Sequence, residues 1–109
     1  MRAMEIVPLP VGALRNPDFV CSRALAANTH EEITVPASAC FVVFSATASA
    51  DFYAAYGANP TAVVPGDVDD GTSNELNPTL RYIKGVAKIS VISAASAGCI
   101  VTAAFYEAQ

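Results

Sequence analysis

The sequence predicts an all-β fold, an antiparallel β-sandwich. Short runs rich in β-branched and aromatic residues recur about every 8–12 residues, and Gly, Pro, Asn and Asp turn signals separate them, which is typical of seven or eight short strands. No crossover segment reaches the length that a parallel βαβ unit requires. A chain of 109 residues forms one domain. Strands of this number and spacing indicate an all-β sandwich or barrel, and of these we expect an antiparallel sandwich of the jelly-roll type.

The N-terminal region, residues 1–28, is predicted to be an extended arm or edge element in front of a β-sandwich domain of residues 29–109. Three prolines interrupt this region before residue 18, and its side chains follow no regular period. A short strand is expected within it, around residues 18–23.

The first two runs of the sandwich domain predict different strands. In residues 32–36, Ile33 and Val35 alternate with polar neighbours, which indicates a strand with one face in water. Residues 40–47 read CFVVFSAT, a dense set of β-branched and aromatic residues in a short run. We expect this second run to be a central strand that is buried on both faces.

The middle of the chain combines one strand with a solvated loop. Residues 51–56, DFYAAY, are rich in alanine, but Gly57 and Pro60 would end a helix within two turns, so a strand is favoured. Residues 67–73, DVDDGTS, form a loop, and Asp70-Gly71 supplies a residue that tolerates a positive φ angle.

Three further strands are expected at the C-terminus. These are residues 80–83, residues 87–93 with one face exposed, and residues 99–106 with Val101, Ala103 and Phe105 on one face. The small residues 94–98 between the last two strands predict a hairpin.

The composition favours a protein that packs against other proteins. Hydrophobic residues make up 53% of the chain and charged residues only 15%, against about 25% in an average soluble domain. Alanine accounts for 21 residues and buries little area, so the high apolar content does not imply a large core. Together with the low number of charged residues, this predicts a weakly charged surface.

Charge and hydropathy also argue against two classes of partner. The net charge is −4, the isoelectric point is near 4.6, and the six basic residues are scattered, so nucleic acid is not an expected partner. No run reaches the roughly 18–20 apolar residues of a membrane-spanning helix, and the N-terminus does not read as a signal peptide. We therefore expect synthesis in a reducing cytoplasm and no membrane association.

The residues that could carry chemistry favour structural interpretations. Cys21, Cys40 and Cys99 have no CxxC spacing and lie in apolar runs, so they are expected to be small buried hydrophobic residues. His30 is followed by Glu31 and Glu32, which is not a HExxH motif, and neighbouring strand residues point to opposite faces.

Other motifs give no site. Gly71 follows Asp67, Asp69 and Asp70, but this glycine comes one position too early for a calcium-binding loop. The segment therefore predicts a structural turn. The sequence contains no Ser/His/Asp set, nucleophile elbow or glycine-rich phosphate loop. We predict no catalytic, cofactor or metal site and no enzyme activity.

Several short motifs resemble a group of small proteins encoded among the structural genes of tailed bacteriophages. They are the FSAT of residues 44–47, the DFY of residues 51–53, the VPGDVDDGT of residues 64–72, the ELNP of residues 75–78 and the closing AFY of residues 104–106. The resemblance covers about residues 32–106. It implies a virion protein without catalytic residues.

The composition and the resemblance together predict a virion structural protein, made in the bacterial host cytoplasm. We expect it to decorate or cement the capsid by binding the major capsid protein, as a homo-oligomer or symmetric array. One alternative is a tail, neck or fibre-associated virion protein, and another is a glycan-binding module in which Tyr53, Tyr56 and Tyr82 stack on a sugar.

We predict that contacts with other virion proteins come from the N-terminal arm and from the loop of residues 65–78, with exposed aromatic residues beside them. The candidate interface residues are Arg2, Val7, Pro8, Leu14, Phe19, Tyr53, Tyr56, Asp67, Asp70 and Asn77.

Overall fold

The computed structural model describes residues 16–47 and 50–107 and contains eight β-strands in this part of the chain. Residues 1–15, which hold most of the predicted arm, lie outside the described residues. The strands are β1 (Phe19–Leu25), β2 (Glu31–Thr34), β3 (Ala39–Ala46), β4 (Tyr53–Gly57), β5 (Glu75–Leu76), β6 (Leu80–Tyr82), β7 (Lys88–Ile92) and β8 (Cys99–Glu107).

The strands form two four-stranded sheets in which every pairing is antiparallel. Sheet 1 has the order β1-β8-β3-β6 and sheet 2 has the order β2-β7-β4-β5. Most strands that follow each other along the chain, such as β1 and β2 or β7 and β8, therefore lie in different sheets. The exception is β4 and β5, which are neighbours in sheet 2. The fold is all-β, as the sequence predicts.

A single hydrophobic cluster receives side chains from both sheets. Sheet 1 contributes Val42 and Phe105, and sheet 2 contributes Ile89 and Val91, all at most 1% exposed. The ring centroids of Phe44 in β3 and Phe52 before β4 lie 5.8 Å apart. Since strand side chains alternate between faces, each of the longer strands directs the side chains of one face into this shared core.

Several predicted elements are confirmed. The run at residues 40–47 is β3, which lies inside sheet 1 between β8 and β6. The alanine-rich residues 51–56 contain strand β4 rather than a helix. In β8, Val101, Ala103 and Phe105 are buried while the alternate residues are more exposed, and Gly71 has a φ angle of +88°.

The predicted burial of two strands is wrong. β3 is buried on one face only, because Phe41 is 42% exposed and Ser45 is exposed. β7 is buried on both faces, because Ser90 and Ile92, on the face opposite the core, are at most 5% exposed. The hydropathy of a strand does not show which segment covers its outer face. Here a segment distant in sequence covers β7, whereas no described residue covers the outer face of β3.

The predicted hairpin between the last two strands is also wrong, since β7 belongs to sheet 2 and β8 to sheet 1. The intervening residues carry the chain from one sheet to the other. The Ser93 hydroxyl donates a hydrogen bond to the carbonyl of Asp51 (2.6 Å) and accepts one from the Ala95 N–H (3.2 Å). These contacts hold the connection at the end of the core, so it crosses between the sheets instead of forming a tight turn.

Part of the predicted arm belongs to the sheet. The strand expected around residues 18–23 is β1, which pairs with β8 along all seven of its residues. The domain boundary expected after residue 28 therefore falls beyond a strand of sheet 1. The sequence analysis missed β5, which has only two residues and no hydropathy pattern of its own.

Replacing Phe105 should show that the shared core dominates stability. Phe105→Ala removes a side chain that is 1% exposed, and we expect a loss of about 3–5 kcal/mol in the free energy of unfolding, measured by urea denaturation. Phe41→Ala, on the outer face of the same sheet, should cost about 1 kcal/mol or less. Equal losses from the two variants would contradict this core.

Candidate protein-binding face

An arginine closes the edge of the sandwich at which β1 and β2 lie. The Nε of Arg23 in β1 donates to the carbonyl of Glu32 in β2 (3.0 Å), and its Nη1 donates to the carbonyl of Ser22 (3.0 Å). The guanidinium thus joins the edge strand of sheet 1 to that of sheet 2. A charged side chain on an edge strand also hinders pairing with another strand, so this edge is protected.

A second arginine joins the two sheets at the opposite edge. Arg81 in β6 donates from Nε to Oε2 of Glu75 in β5 (2.7 Å), and its Nη2 contacts the same oxygen. Oε1 of Glu75 accepts a hydrogen bond from the Tyr56 hydroxyl (2.8 Å). The hydrogen bond from Arg81 lowers the pKa of Glu75, and burial raises the pKa of Tyr56, so the carboxylate is ionised and the phenol is protonated at neutral pH.

At β7, the outer face of sheet 2 is covered by the chain itself. The hydroxyl of Ser90 in β7, which is 0% exposed, accepts a hydrogen bond from the N–H of Ala62 (2.9 Å) and lies 3.1 Å from Nδ1 of His30. Ala62 belongs to the 58–74 connection between β4 and β5. This face also carries an ion pair between Lys88 and Glu32 (3.4 Å).

The outer face of sheet 1 is different, because none of the described strand residues on it carries a formal charge. Cross-strand partners share a face, and Val42, Phe44, Val101, Ala103 and Phe105 point into the core, so the alternate positions point outward. Through the described strands this outer face consists of Val20, Ser22, Ala24, Phe41, Val43, Ser45, Leu80, Tyr82, Ile100, Thr102, Ala104 and Tyr106.

The strand register arranges these residues in rows across the sheet. The aromatic row contains Tyr106, Phe41 and Tyr82, and the rings of Phe41 and Tyr82 pack edge to face with centroids 5.3 Å apart. Tyr82 is 64% exposed. The adjacent apolar row contains Val20, Ala104, Val43 and Leu80.

A hydroxyl row follows the apolar row. It contains Ser22, Thr102 and Ser45, and the side-chain oxygens of Ser22 and Thr102 are 3.1 Å apart. Contiguous apolar and aromatic surface with a polar margin is typical of a protein-interaction site. The outer face of sheet 1 is therefore the candidate protein-binding face.

The 58–74 connection is a second exposed feature. Val63, Val64 and Val68 are 54%, 37% and 40% exposed. Asp70 accepts hydrogen bonds at Oδ1 from the N–H (3.1 Å) and the hydroxyl (2.7 Å) of Thr72, and the hydroxyl bond lowers the pKa of Asp70. Connections of this length inside a compact domain often serve a binding function.

The predicted interface residues that the structure describes do not lie together in one site. Phe19 is 49% exposed at the start of β1 and packs against Phe105, with centroids 6.3 Å apart. Tyr53 and Tyr56 lie on opposite faces of β4, since Tyr53 pairs with Ile92 and Tyr56 with the core residue Ile89. Asp67 and Asp70 are exposed in the 58–74 connection, whereas Arg2, Val7, Pro8 and Leu14 lie outside the described residues.

Asn77 has a structural role that the sequence analysis missed. Its backbone N–H donates to the carbonyl of Phe52 (2.9 Å), its Oδ1 accepts from the N–H of Phe52 (2.9 Å), and its Nδ2 donates to Oδ1 of Asp51 (2.9 Å). Its φ angle is +46°, a left-handed conformation that asparagine tolerates better than most residues. Asn77 thus fixes the start of β4 against the end of β5.

The remaining candidates for chemistry have structural surroundings. Cys40 and Cys99 are buried as predicted, Cys21 is half-buried, and all three are free thiols. Residues 16–47 and 50–107 contain no group of three or more His, Cys, Asp or Glu side chains that could hold a metal ion. The same residues form no helix that could span a membrane.

The sequence analysis also missed the candidate protein-binding face. Its signal was present in β3 and β8, where every outward position is apolar, aromatic or a hydroxyl residue. Only the strand order shows that these positions join those of β1 and β6 on one continuous face.

Comparison with known proteins gives no relative: no protein-family model matches the chain, and no curated protein or solved structure matches it.

Substituting Asn77 should distinguish its structural role from the predicted interface role. We expect Asn77→Ala to lower the free energy of unfolding by about 2–3 kcal/mol, because the Phe52 N–H loses its acceptor and alanine disfavours the positive φ angle. Asn77→Gly, which keeps the φ angle, should cost less, and Asn59→Ala at an exposed asparagine should have little effect. If Asn77→Ala unfolds like the wild type in urea, the structural role is refuted.

Proposed function

We propose that this chain is a structural protein of a tailed-bacteriophage virion, and that it decorates the capsid by binding the major capsid protein. The observation that carries the proposal is the uncharged outer face of sheet 1. A protein with a net charge of −4 in which the described strand residues of one sheet face are uncharged and partly aromatic is suited to bury that face against protein.

We infer that the fold is a jelly-roll sandwich. Two four-stranded antiparallel sheets with the orders β1-β8-β3-β6 and β2-β7-β4-β5 support it, as does the passage of the chain between the sheets at every connection except that between β4 and β5. The jelly roll occurs in viral capsid proteins but also in lectins and other proteins, so the fold supports a capsid role only by analogy.

The motifs that resemble phage proteins have a structural explanation in this fold. The DFY of residues 51–53 and the ELNP of residues 75–78 are joined by the hydrogen bonds of Asn77 to Phe52 and Asp51. Glu75 of the same motif also bonds to Tyr56 and Arg81. Two of the five resembling motifs therefore contain residues that join β4 to β5, and Glu75 also joins sheet 2 to sheet 1 through Arg81.

A capsid role also fits the second exposed feature. The 58–74 connection, which contains the three exposed valines and the aspartates, contacts the outer face of sheet 2 through the hydrogen bond from Ala62 to Ser90. A chain with two separate contact surfaces can bind a capsid subunit with one and a neighbour with the other. Repetition over a symmetric shell then multiplies weak contacts.

The glycan-binding alternative has less support from the geometry. Tyr53 lies on the outer face of sheet 2, Tyr56 points toward the core and Tyr82 lies on the outer face of sheet 1, so the three rings do not share a platform. A shallow depression of about 300 Å³ is lined by aliphatic and small residues and contains no aromatic ring; it is formed by Ala24, Leu25, Thr47, Ala97, Gly98, Cys99 and Ile100.

Mass spectrometry of purified virions tests the proposed function. We expect peptides of this chain in virions, at a copy number close to that of the major capsid protein. A copy number of a few to a few dozen would instead assign it to the tail, neck or fibres. Virions that contain none of this chain would refute a structural role.

A further inference from the structure

His30 links the solvent to a buried hydrogen bond on the outer face of sheet 2. It is the single histidine of the chain, it lies exposed just before β2, and its Nδ1 is 3.1 Å from the hydroxyl oxygen of Ser90 in β7. The same oxygen accepts a hydrogen bond from the N–H of Ala62 (2.9 Å). We propose that His30 is a pH-sensitive switch that holds the 58–74 connection on sheet 2 when the ring is neutral and loosens it when the ring is protonated.

The bond between Ala62 and Ser90 anchors the 58–74 connection to the sheet. The N–H of Val63 donates to Oδ1 of Asn74 (2.5 Å), so that bond stays within the connection. The bond from Ala62 instead joins the connection to β7. Weakening it therefore frees the connection from the sheet without breaking the bonds that shape the connection itself.

Burial makes the hydrogen bonds of this anchor costly to lose. Ser90 is 0% exposed and Ala62 is 1% exposed, so water does not reach either group while the connection is in place. A buried donor or acceptor without a partner destabilises the state that contains it. The hydroxyl of Ser90 and the N–H of Ala62 must therefore both find partners inside the protein.

The count of protons selects the form of His30 that fits the anchor. The Ser90 oxygen accepts from Ala62, so its one hydroxyl proton needs an acceptor elsewhere. Among the described residues, Nδ1 of His30 is the acceptor within hydrogen-bond distance of this hydroxyl. The neutral ring with its proton on Nε2 therefore satisfies Ser90 and Ala62 together.

Protonation of the ring removes that acceptor. In the imidazolium both ring nitrogens are donors, so Nδ1 of His30 and the N–H of Ala62 then both point their protons at the Ser90 oxygen. The hydroxyl proton of Ser90 is left without a partner in a site that water does not reach. The same loss occurs if the charged ring turns away into solvent. Protonation thus favours a state in which the connection moves off and water reaches Ser90.

The other ionisable groups around His30 do not replace Nδ1 as the acceptor. On the surrounding elements they are Arg23 in β1, Glu31 and Glu32 in β2, Lys88 in β7, Asp51 before β4, Tyr53 in β4, and Asp67, Asp69 and Asp70 in the 58–74 connection. Glu32 forms its ion pair with Lys88 (3.4 Å), and within the described residues none of these side chains bonds to the Ser90 hydroxyl. Their charges affect how readily the ring takes up a proton, but they leave Ser90 without an acceptor once it has done so.

Amide hydrogen exchange of the purified full-length chain, followed by NMR at about pH 7.5 and about pH 5, tests the switch, because an ordinary histidine changes its charge in this range. Protection factors remove the intrinsic pH dependence of exchange, and the Ala62 amide is itself part of the anchor. We expect its protection factor to fall at least about threefold at the lower pH. The amide of Val35, which donates to the carbonyl of Ala87 (3.0 Å) and so joins β2 to β7, should keep its protection.

Substitutions at His30 separate the hydrogen bond from the charge. His30→Asn puts a carboxamide oxygen at the same distance along the side chain as Nδ1, and this oxygen accepts at any pH, so the protection of Ala62 should be high at both pH values. His30→Ala removes the acceptor, so protection should be low at both. Thr29→Ala, at the exposed neighbouring position, is the matched control and should keep the wild-type pH dependence.

Three results would overturn the switch. The first is equal protection of Ala62 at the two pH values in the wild type. The second is an undiminished fall in His30→Asn, which would assign the pH dependence to other groups. The third is a parallel loss at Ala62 and Val35, which would show that acid loosens the whole sandwich. The switch is a property of the isolated chain and its readout involves no virion, so it stands or falls separately from the virion role.

Discussion

The structure depends on one layer of apolar side chains that two four-stranded sheets share. In the described part of the chain the inward faces of the two sheets pack against each other, and Val42 and Phe105 of sheet 1 meet Ile89 and Val91 of sheet 2 in one core. Burial of this area is the main favourable contribution to folding. It also explains why the chain passes from one sheet to the other at every connection except that between β4 and β5, since each crossing keeps the chain wrapped around the same core.

A two-sheet core leaves two edges and two outer faces exposed, and the chain treats them differently. Arg23 and Arg81 bridge the two edges, and the 58–74 connection covers β7 on the outer face of sheet 2. The outer face of sheet 1 remains exposed and uncharged through the described strands. The structure thus accounts for the high hydrophobic content and low charge of the sequence. The apolar residues lie in a small core, as alanine in the strands, and on one face that is suited to contact with protein.

The sequence predicts the elements of this fold better than their arrangement. The alternation in β8 and the dense run of β3 are local patterns, and both strands occur where they are expected. The burial of Ser90 could not be predicted, because it depends on Ala62 from a distant connection. The predicted hairpin between β7 and β8 was wrong because this connection crosses from sheet 2 to sheet 1, so these neighbours in sequence are not neighbours in a sheet.

The residues of the candidate site could also not be predicted from local patterns, because their contacts depend on how distant strands pair. Asn77 is recognisable as an asparagine before a proline, but its hydrogen bonds to Phe52 and Asp51 depend on how β4 and β5 pair. The uncharged face needs the register of four strands that are far apart in the chain. A one-residue shift in any of them would exchange its outward and inward side chains.

The central claim is that protein buries the outer face of sheet 1 when the chain is assembled. Hydroxyl-radical footprinting of the dilute chain and of intact virions measures this directly, through the oxidation rates of individual side chains. The account predicts that Tyr82 and Leu80, which are 64% and 50% exposed in the free chain, react several-fold more slowly in virions. Equal oxidation of these two side chains in both samples would contradict it.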